Sequence, residues 1–440
     1  MDKPLPLSGL RVLDFTHIVA GPQCTRILGD MGAQVIKVET EQALDSLRMS
    51  PMGIGGEAGP NRSGLFEYFN RNKLSVTINA LHPSGLAVIK KLLTVSDIVI
   101  ENFSSKVLER WGLSYDEQVA IKPDIIYVSI TGFGHNGRDR EYSTWGPTAQ
   151  ALSGLTLMSG LPGERPAGWG FSFLDHTAGY NAAIAVLMAL HHRNNTGEGQ
   201  WLDLSQIETG MVLTGPQMLD YTVNNNPYRR EGTPPGNRSI HPRVAPHNTY
   251  QCKGTDKWCA ITVSDNRHWN KFQAALHSES WVHDERFSNN EGRVRHENEL
   301  DALIEEWTID KTPHEVMYRL QSFGVAAGAV QTNADKVERD PQLRARDFFV
   351  EFLHRETGEY YETDEFPAKF SETGHSVRQG SPPVGADTHE VLSNVLGMSD
   401  DEITSLYEEA HRNLSASSVE AIEAHCFGGL CPGNRFVSVL

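Results

Sequence analysis

The sequence predicts an α/β protein with a parallel sheet, and three observations lead there. Short β-rich apolar runs alternate with helix-length segments from Leu10 onward, which implies a parallel sheet with helices on its faces. At 440 residues the chain is long enough for two or three domains. After the Asn-, Pro-, Gly- and Arg-rich stretch 224–247 the pattern changes to a strand followed by several helices, which points to a second, smaller α+β domain.

Taken in order, Leu10–Phe15 reads as the first strand, broken at Ala20-Gly21-Pro22. Gln23–Met31 follows as a helix, with Pro22 suited to its first turn and Gly32 to its stop. Val35–Val38, Ser75–Ile78, Ile98–Ile100 and Ile125–Ile130 are further strands, and Pro83–Val95 is a helix. Asp175–Arg193 is apolar almost all round, as a buried helix would be. In the second domain a strand is expected at Trp258–Val263, with helices at Arg267–Leu276 and Glu297–Trp307. Thr312-Pro313-His314-Glu315 has capping-box spacing and starts another helix. Phe348–Phe370 reads as a hairpin turning near Gly358, and Asp387–Leu396 and Ser399–Arg412 as closing helices. Residues 413–440 are small, polar and Gly-rich, a disordered tail by composition.

Composition narrows the function. Lys and Arg number 39 against 56 Asp and Glu, a formal charge of −17 that argues against nucleic-acid binding. The longest apolar run, Ala182–Leu190, is too short to span a membrane. No signal peptide is evident, and five scattered cysteines point to a reducing, cytoplasmic location. A G-x-G-x-x-G string at Gly132–Gly137 follows a late strand, and Arg138–Trp145 is too charged and broken to be the helix that a dinucleotide fingerprint opens. There is no G-x-S-x-G and no H-E-x-x-H, so neither a serine elbow nor a metal site is expected.

Asp175 stands apart, between an aromatic segment (Trp169, Phe171, Phe173) and the apolar helix. An N-cap is one reading. The other is chemical: a helix N-terminus would keep the carboxylate ionised while aromatic side chains shield it, as a carboxylate nucleophile requires. The residues alone leave both readings open. Trp169, Phe171 and Phe173 recur at strand period and could line one side of a substrate pocket.

Further motifs favour the chemical reading. The run Gly9-Leu-Arg-Val-Leu-Asp-Phe-Thr-His-Ile-Val-Ala-Gly-Pro22 continues through Gly32-Ala-Gln-Val-Ile-Lys-Val-Glu39, Asp45-x-x-Arg48 and Asn70-Arg-Asn-Lys73. Then come Asp97-Ile-Val-Ile-Glu-Asn-Phe103, Ser129-Ile-Thr-Gly-Phe-Gly134, Asp175-x-x-Ala-Gly179, Thr196-Gly-Glu-Gly-Gln200 and Pro382-Pro-Val-Gly385. Over about residues 7–410 this order resembles class III coenzyme A transferases, the family of formyl-CoA, carnitine and bile-acid CoA transferases.

The resemblance implies a Rossmann-like large domain in residues 1–215 and 335–412, a small domain in 225–330, and two chains interlaced as linked rings. It implies Asp175 as the nucleophile and CoA contacts at Val19, Ala20, Ile78, Asn79, Asn102 and Phe103, with Arg110 meeting phosphates. Thr40 and Leu81 stand where some relatives carry basic residues. It also implies CoA thioesters as substrates, possession of no resident cofactor, and a carboxylic acid acceptor, with succinyl-CoA a candidate donor. The partner is a second identical chain or a paralogue. A closing loop is expected; some relatives use a glycine run for it, whereas Pro234–His241 here offers only one glycine, so the loop is not assigned to particular residues. Two alternatives are an α-methylacyl-CoA racemase and a non-catalytic subunit. The racemase motif would place a histidine after Gly146-Pro147, where this chain has Thr148-Ala-Gln-Ala-Leu-Ser-Gly154.

Overall fold

The structure, a computed structural model, describes residues 3–227 and 234–417. Six strands form the main sheet: β1 (Arg11–Asp14), β2 (Gln34–Glu39), β3 (Lys73–Thr77), β4 (Ile98–Glu101), β5 (Ile126–Thr131) and β6 (Gln200–Ser205). All five pairings are parallel, in the order β3-β2-β1-β4-β5-β6. This is the doubly wound order, in which the direction of winding reverses between β1 and β4 and opens a crevice beyond their C-terminal ends.

The first helices are α1 (Ala20–Asp30), α2 (Gly64–Asn70), α3 (Pro83–Thr94), α4 (Val107–Arg110) and α5 (Tyr115–Ile121). They are followed by α6 (Gly146–Leu152), α7 (Leu155–Met158), α8 (Phe173–Thr196) and α9 (Gln206–Leu213). Alternate residues of each strand face opposite layers. Leu13, Ile36, Val76 and Val99 pack with Ile89 and Leu92 of α3. Val12, Val35, Ile98 and Val128 pack with Cys24 and Leu28 of α1 and Ala182 and Val186 of α8. Covering on both faces is why these strands read as continuous apolar runs.

The described residues divide into two compact units, one of those up to Leu155, Trp169–Pro216 and those from Ala345 to Ser417, the other of Thr156–Gly168 and those between Gln217 and Arg344. Thr156–Gly168 therefore groups with the second unit, whereas the sequence placed it in the large domain. Further along lie α10 (Gly215–Asn224), β7 (His247–Gln251), β8 (Trp258–Thr262), α11 (Asn266–Ala275), α12 (Asn290–Arg295), α13 (Glu297–Thr308), α14 (Pro313–Ser322) and β9 (Ala326–Ala329). In the second unit β7, β8 and β9 form an antiparallel sheet, against which Trp269, Phe272, Leu300, Ile304 and Leu320 build a core of their own. The Thr312–Glu315 capping box forms as read. Past Ala345, β10 (Phe349–Leu353) and β11 (Tyr360–Asp364) make the expected hairpin. The last helix runs from Asp400 to Ser417, so residues 413–417, read from the sequence as the start of a disordered tail, are helical, and the rest of that tail lies outside the described residues.

Two local departures from the sequence reading bear on function. Helix α1 begins at Ala20, earlier than expected, because a proline in the first turn sacrifices an N–H that has no intrahelical partner anyway. Helix α8 begins at Phe173, so Asp175 is its third residue and not its N-cap. The cap is Ser172, held in the left-handed region at φ 46°, ψ 38°. Nor is α8 buried all round within the chain. Ala178, Ala182, Val186 and Ala189 pack against the sheet and α1, and Leu174 against Ala149, Leu155 and Ile207, while Tyr180, Ile184, Leu187 and Met188 are exposed.

Three buried ion pairs tie the ends of β1, β2 and β3 to their loops. Asp14 meets Lys73 at 3.0 Å, Lys37 meets Asp45 at 3.2 Å, and Arg48 meets Glu39 at 2.6 Å. Lys37 Nζ also donates to the Thr16 carbonyl at 2.5 Å, and Asp45 Oδ1 accepts from the Ile18 N–H at 3.1 Å. The motif residues Asp45 and Lys73 thus brace the end of β1 and the loop after it, while Arg48 joins Glu39 to the Pro60 and Pro382 carbonyls.

Candidate active site

A cavity of about 510 Å³ opens where the chain leaves β1, β4 and β5. Val19 and Ala20 line it from the start of α1, Asn102 and Phe103 from the turn after β4, and Asp175 and Gln206 from the first turns of α8 and α9. Asn102 also clasps the two loops together, its Oδ1 accepting from the His17 N–H at 2.7 Å and its Nδ2 donating to the His17 carbonyl at 2.9 Å. Gly21 permits this approach, since a Cβ there would fall 2.4 Å from Thr16 Cβ.

Ile78 and Asn79 lie elsewhere, in a second cavity of about 260 Å³ that also takes in Thr40, Leu81 and Trp111. Phe103 lines both cavities, with its ring 5.4 Å from those of His17 and Trp111. Arg110, the last residue of α4, is exposed and lines neither cavity. The cation on the larger cavity is Arg140.

Asp175 is the one carboxylate among the lining residues described, and no His, Lys or Cys accompanies it. Gln206 Nε2 donates a hydrogen bond to its Oδ1. Its Oδ2 faces Gly146, where a Cβ would stand only 2.5 Å away. Burial pushes the Asp175 carboxyl above the ordinary aspartate value of 3.8, and hydrogen bonds from Gln206 and Ser172 oppose that rise without cancelling it. The sequence reading had the helix N-terminus keeping this group ionised, but desolvation is the larger effect here. Of Trp169, Phe171 and Phe173, Phe171 alone lines the cavity. Gly170, at φ 84°, and Ser172 turn the backbone, which destroys the strand period. Phe173 instead packs with Ala149, Leu155, Leu174 and Ile207.

The chain matches the profile of CoA-transferase family III over residues 7–388. The chain belongs to CoA-transferase family III. The succinyl-CoA–D-citramalate CoA-transferase of Chloroflexus aurantiacus is 31% identical over 403 residues, 92% of this chain and 97% of that protein. The formyl-CoA:oxalate CoA-transferase of Rhodopseudomonas palustris is 31% identical over 419 residues, 91% and 96% of the two chains. A crystal structure of a CAIB/BAIF family protein from Brucella suis superposes with a TM-score of 0.80 at 30% identity, covering 90% of this chain and 100% of that one.

This family III transferase is therefore an enzyme of CoA transfer, with CoA thioesters as substrates. Sequence reasoning missed Gln206, Gly146 and Arg140 in its cavity. Gln206 could have been found, because Ser205-Gln-Ile-Glu208 has capping-box spacing and Ser205 does cap α9. The strand before it, β6, alternates exposed and half-buried residues at the sheet edge and so lacks an apolar run. Among the described residues no group of three or more His, Cys, Asp or Glu could hold a metal ion, and no helix is long and apolar enough to cross a membrane.

Proposed function

We propose that this transferase moves CoA from an acyl-CoA donor to a carboxylic acid acceptor through Asp175. The single observation that carries this is the isolation of the Asp175 carboxylate in a cavity also lined by Val19, Ala20, Asn102 and Phe103. Asp175 attacks the donor thioester, a C–O bond forms, and the C–S bond breaks with its electron pair leaving on CoA sulfur. The resulting aspartyl anhydride is opened by the thiolate at the aspartyl carbon, which gives an aspartyl-CoA thioester and frees the donor acid. The acceptor carboxylate then runs the sequence in reverse. CoA contacts fall to Val19, Ala20, Asn102 and Phe103 in the larger cavity and to Ile78 and Asn79 in the smaller. Phe103 stands between the two, and Arg110 approaches from outside. Succinyl-CoA as donor is supported by the citramalate transferase relative.

A racemase needs a second acid or base on the opposite face of the substrate, and the cavity lining holds no His, Lys, Cys or second carboxylate beside Asp175. The exposed apolar side of α8 (Ile184, Leu187, Met188) supports a dimer, interlaced as the family resemblance implies.

Hydroxylamine captures anhydrides and thioesters but not free carboxylates. With acyl-CoA and no acceptor it should convert Asp175 to a hydroxamate, detected by peptide mass spectrometry, and Asp175→Ala should lose label and turnover together. Donor-dependent label on another residue, or turnover surviving in Asp175→Ala, overturns the reading.

A further inference from the structure

We infer that Gln206 is the residue that assigns the two oxygens of Asp175 their separate tasks. The inference rests on Asp175 being the nucleophile. Gln206 Nε2 donates to Oδ1, so that oxygen is held as the acceptor of a fixed hydrogen bond. Oδ2 is turned toward Gly146, whose missing side chain leaves room there; Ser172 adds a second hydrogen bond to the carboxyl, and all four residues line the cavity. Oδ2 is therefore the oxygen that attacks the thioester carbon and becomes the bridging atom of the anhydride.

The next step makes the assignment consequential. When CoA thiolate adds to Asp175 Cγ, a C–S bond forms and the carbonyl π pair moves onto the non-bridging oxygen, which is Oδ1. That charge then returns to rebuild the carbonyl as the bond to Oδ2 breaks and the donor acid departs as its carboxylate. The developing oxyanion thus sits on the atom that Gln206 already contacts, and a preorganised donor there stabilises the transition state more than the ground state. No oxidant, metal or added proton is required.

The position of Gln206 is set independently of Asp175. It is the first residue of α9, whose cap Ser205 accepts from the Glu208 N–H. Ser205 Oγ and the Ile207 N–H both donate to the Gly132 carbonyl, at 3.1 Å each, which anchors this turn to the loop after β5. The amide is therefore carried on a braced turn. Gln206 also opposes the effect of burial on Asp175, keeping the carboxylate more available than burial alone would leave it.

The test uses Gln206→Leu and Gln206→Glu in the full-length enzyme with succinyl-CoA and acyl-labelled donor. Gln206→Leu should lower kcat by about 10²–10³-fold, the range for losing one oxyanion donor, with KM for succinyl-CoA little changed. The acidic limb of its kcat/KM profile should move to higher pH, because a hydrogen bond that favours the charged Asp175 is gone. Rapid quenching should find the labelled acyl group retained on the protein, since anhydride opening is the step that slows. Gln206→Glu, with a like charge beside Asp175, should move the acidic limb further still.

Wild-type enzyme is the control that separates the two ideas. If hydroxylamine does not label its Asp175, the nucleophile assignment fails. If it does, but Gln206→Leu labels and turns over at the wild-type rate with an unmoved acidic limb, Asp175 stands and the role of Gln206 is refuted. A change in KM and thermal stability with an unmoved acidic limb and no acyl retention also refutes it, since that is what a purely structural glutamine would produce.

Discussion

Gly146→Ala is the sharpest perturbation the site offers, because it adds one methyl group beside one oxygen. The added Cβ would stand 2.5 Å from Asp175 Oδ2 and 3.3 Å from Cγ, with the Ser172 Cα at an ordinary 3.5 Å. The methyl and Oδ2 cannot share that space, so the carboxylate must retreat by roughly 1 Å, against the Gln206 hydrogen bond on its other side. A misplacement of about 1 Å can cost ~10²-fold in rate, and a factor of 100 equals about 2.7 kcal/mol of barrier. Gly146 is buried but not in the left-handed region, so the cost to folding comes from the crowding alone, about 1–3 kcal/mol, and the variant should still fold. Initial rates of CoA exchange between succinyl-CoA and a panel of acids, alongside thermal melts, measure both. Folded Gly146→Ala with wild-type kcat would refute the proposed position of the reacting oxygen.

Asp175→Asn should be more stable than wild type at pH 7. Burial raises the folded carboxyl pKa above 3.8, so the folded chain holds this proton at pH values where the unfolded chain has released it, and wild-type stability falls as pH rises through that window. The advantage of Asn should shrink as pH drops toward 3.8, and urea midpoints showing no such convergence would contradict it. On the opposite side of α8, Ile184→Glu puts a charge on a residue 51% exposed in the single chain. If that face joins two chains, light scattering should show loss of the dimer, and a fully active, unchanged dimer would count against it.

How much of this was legible depended on which force placed each residue. Strands β1 to β5 were readable because each is buried on both faces, and Val12, Ile36 and Val99 must then all be apolar. β6 was not readable, since an edge strand covered on one side carries Trp201 and Asp203 in the same run. Asp175 was visible through its motif, but its place in the third position of α8 was not. That depends on Ser172 adopting φ 46°, which tertiary packing imposes and local propensity opposes. Asp45, Arg48 and Lys73 stood in motifs to which the sequence assigned no role. Their buried pairing with Lys37, Glu39 and Asp14 involves partners from separate loops and strands, which spacing along the chain cannot reveal.

The features around Asp175 are each unfavourable alone and coherent together. A carboxylate is buried enough to raise its pKa, a non-glycine cap sits in the left-handed region, and a helix approaches so closely that one methyl group will not fit. Such features persist only where the surroundings over-determine them. Here the surroundings are the apolar face of α8 packed on the sheet with α1, and the buried ion pairs that lock the loop after β1. The cost at the site is thus supported by a scaffold that cannot relax around it. For acyl transfer this serves a purpose: a well-solvated carboxylate would be a weaker nucleophile, and its activated esters would be exposed to hydrolysis. With Asp175 as the proposed nucleophile, the same burial that makes it costly to ionise would shield its anhydride and thioester from water.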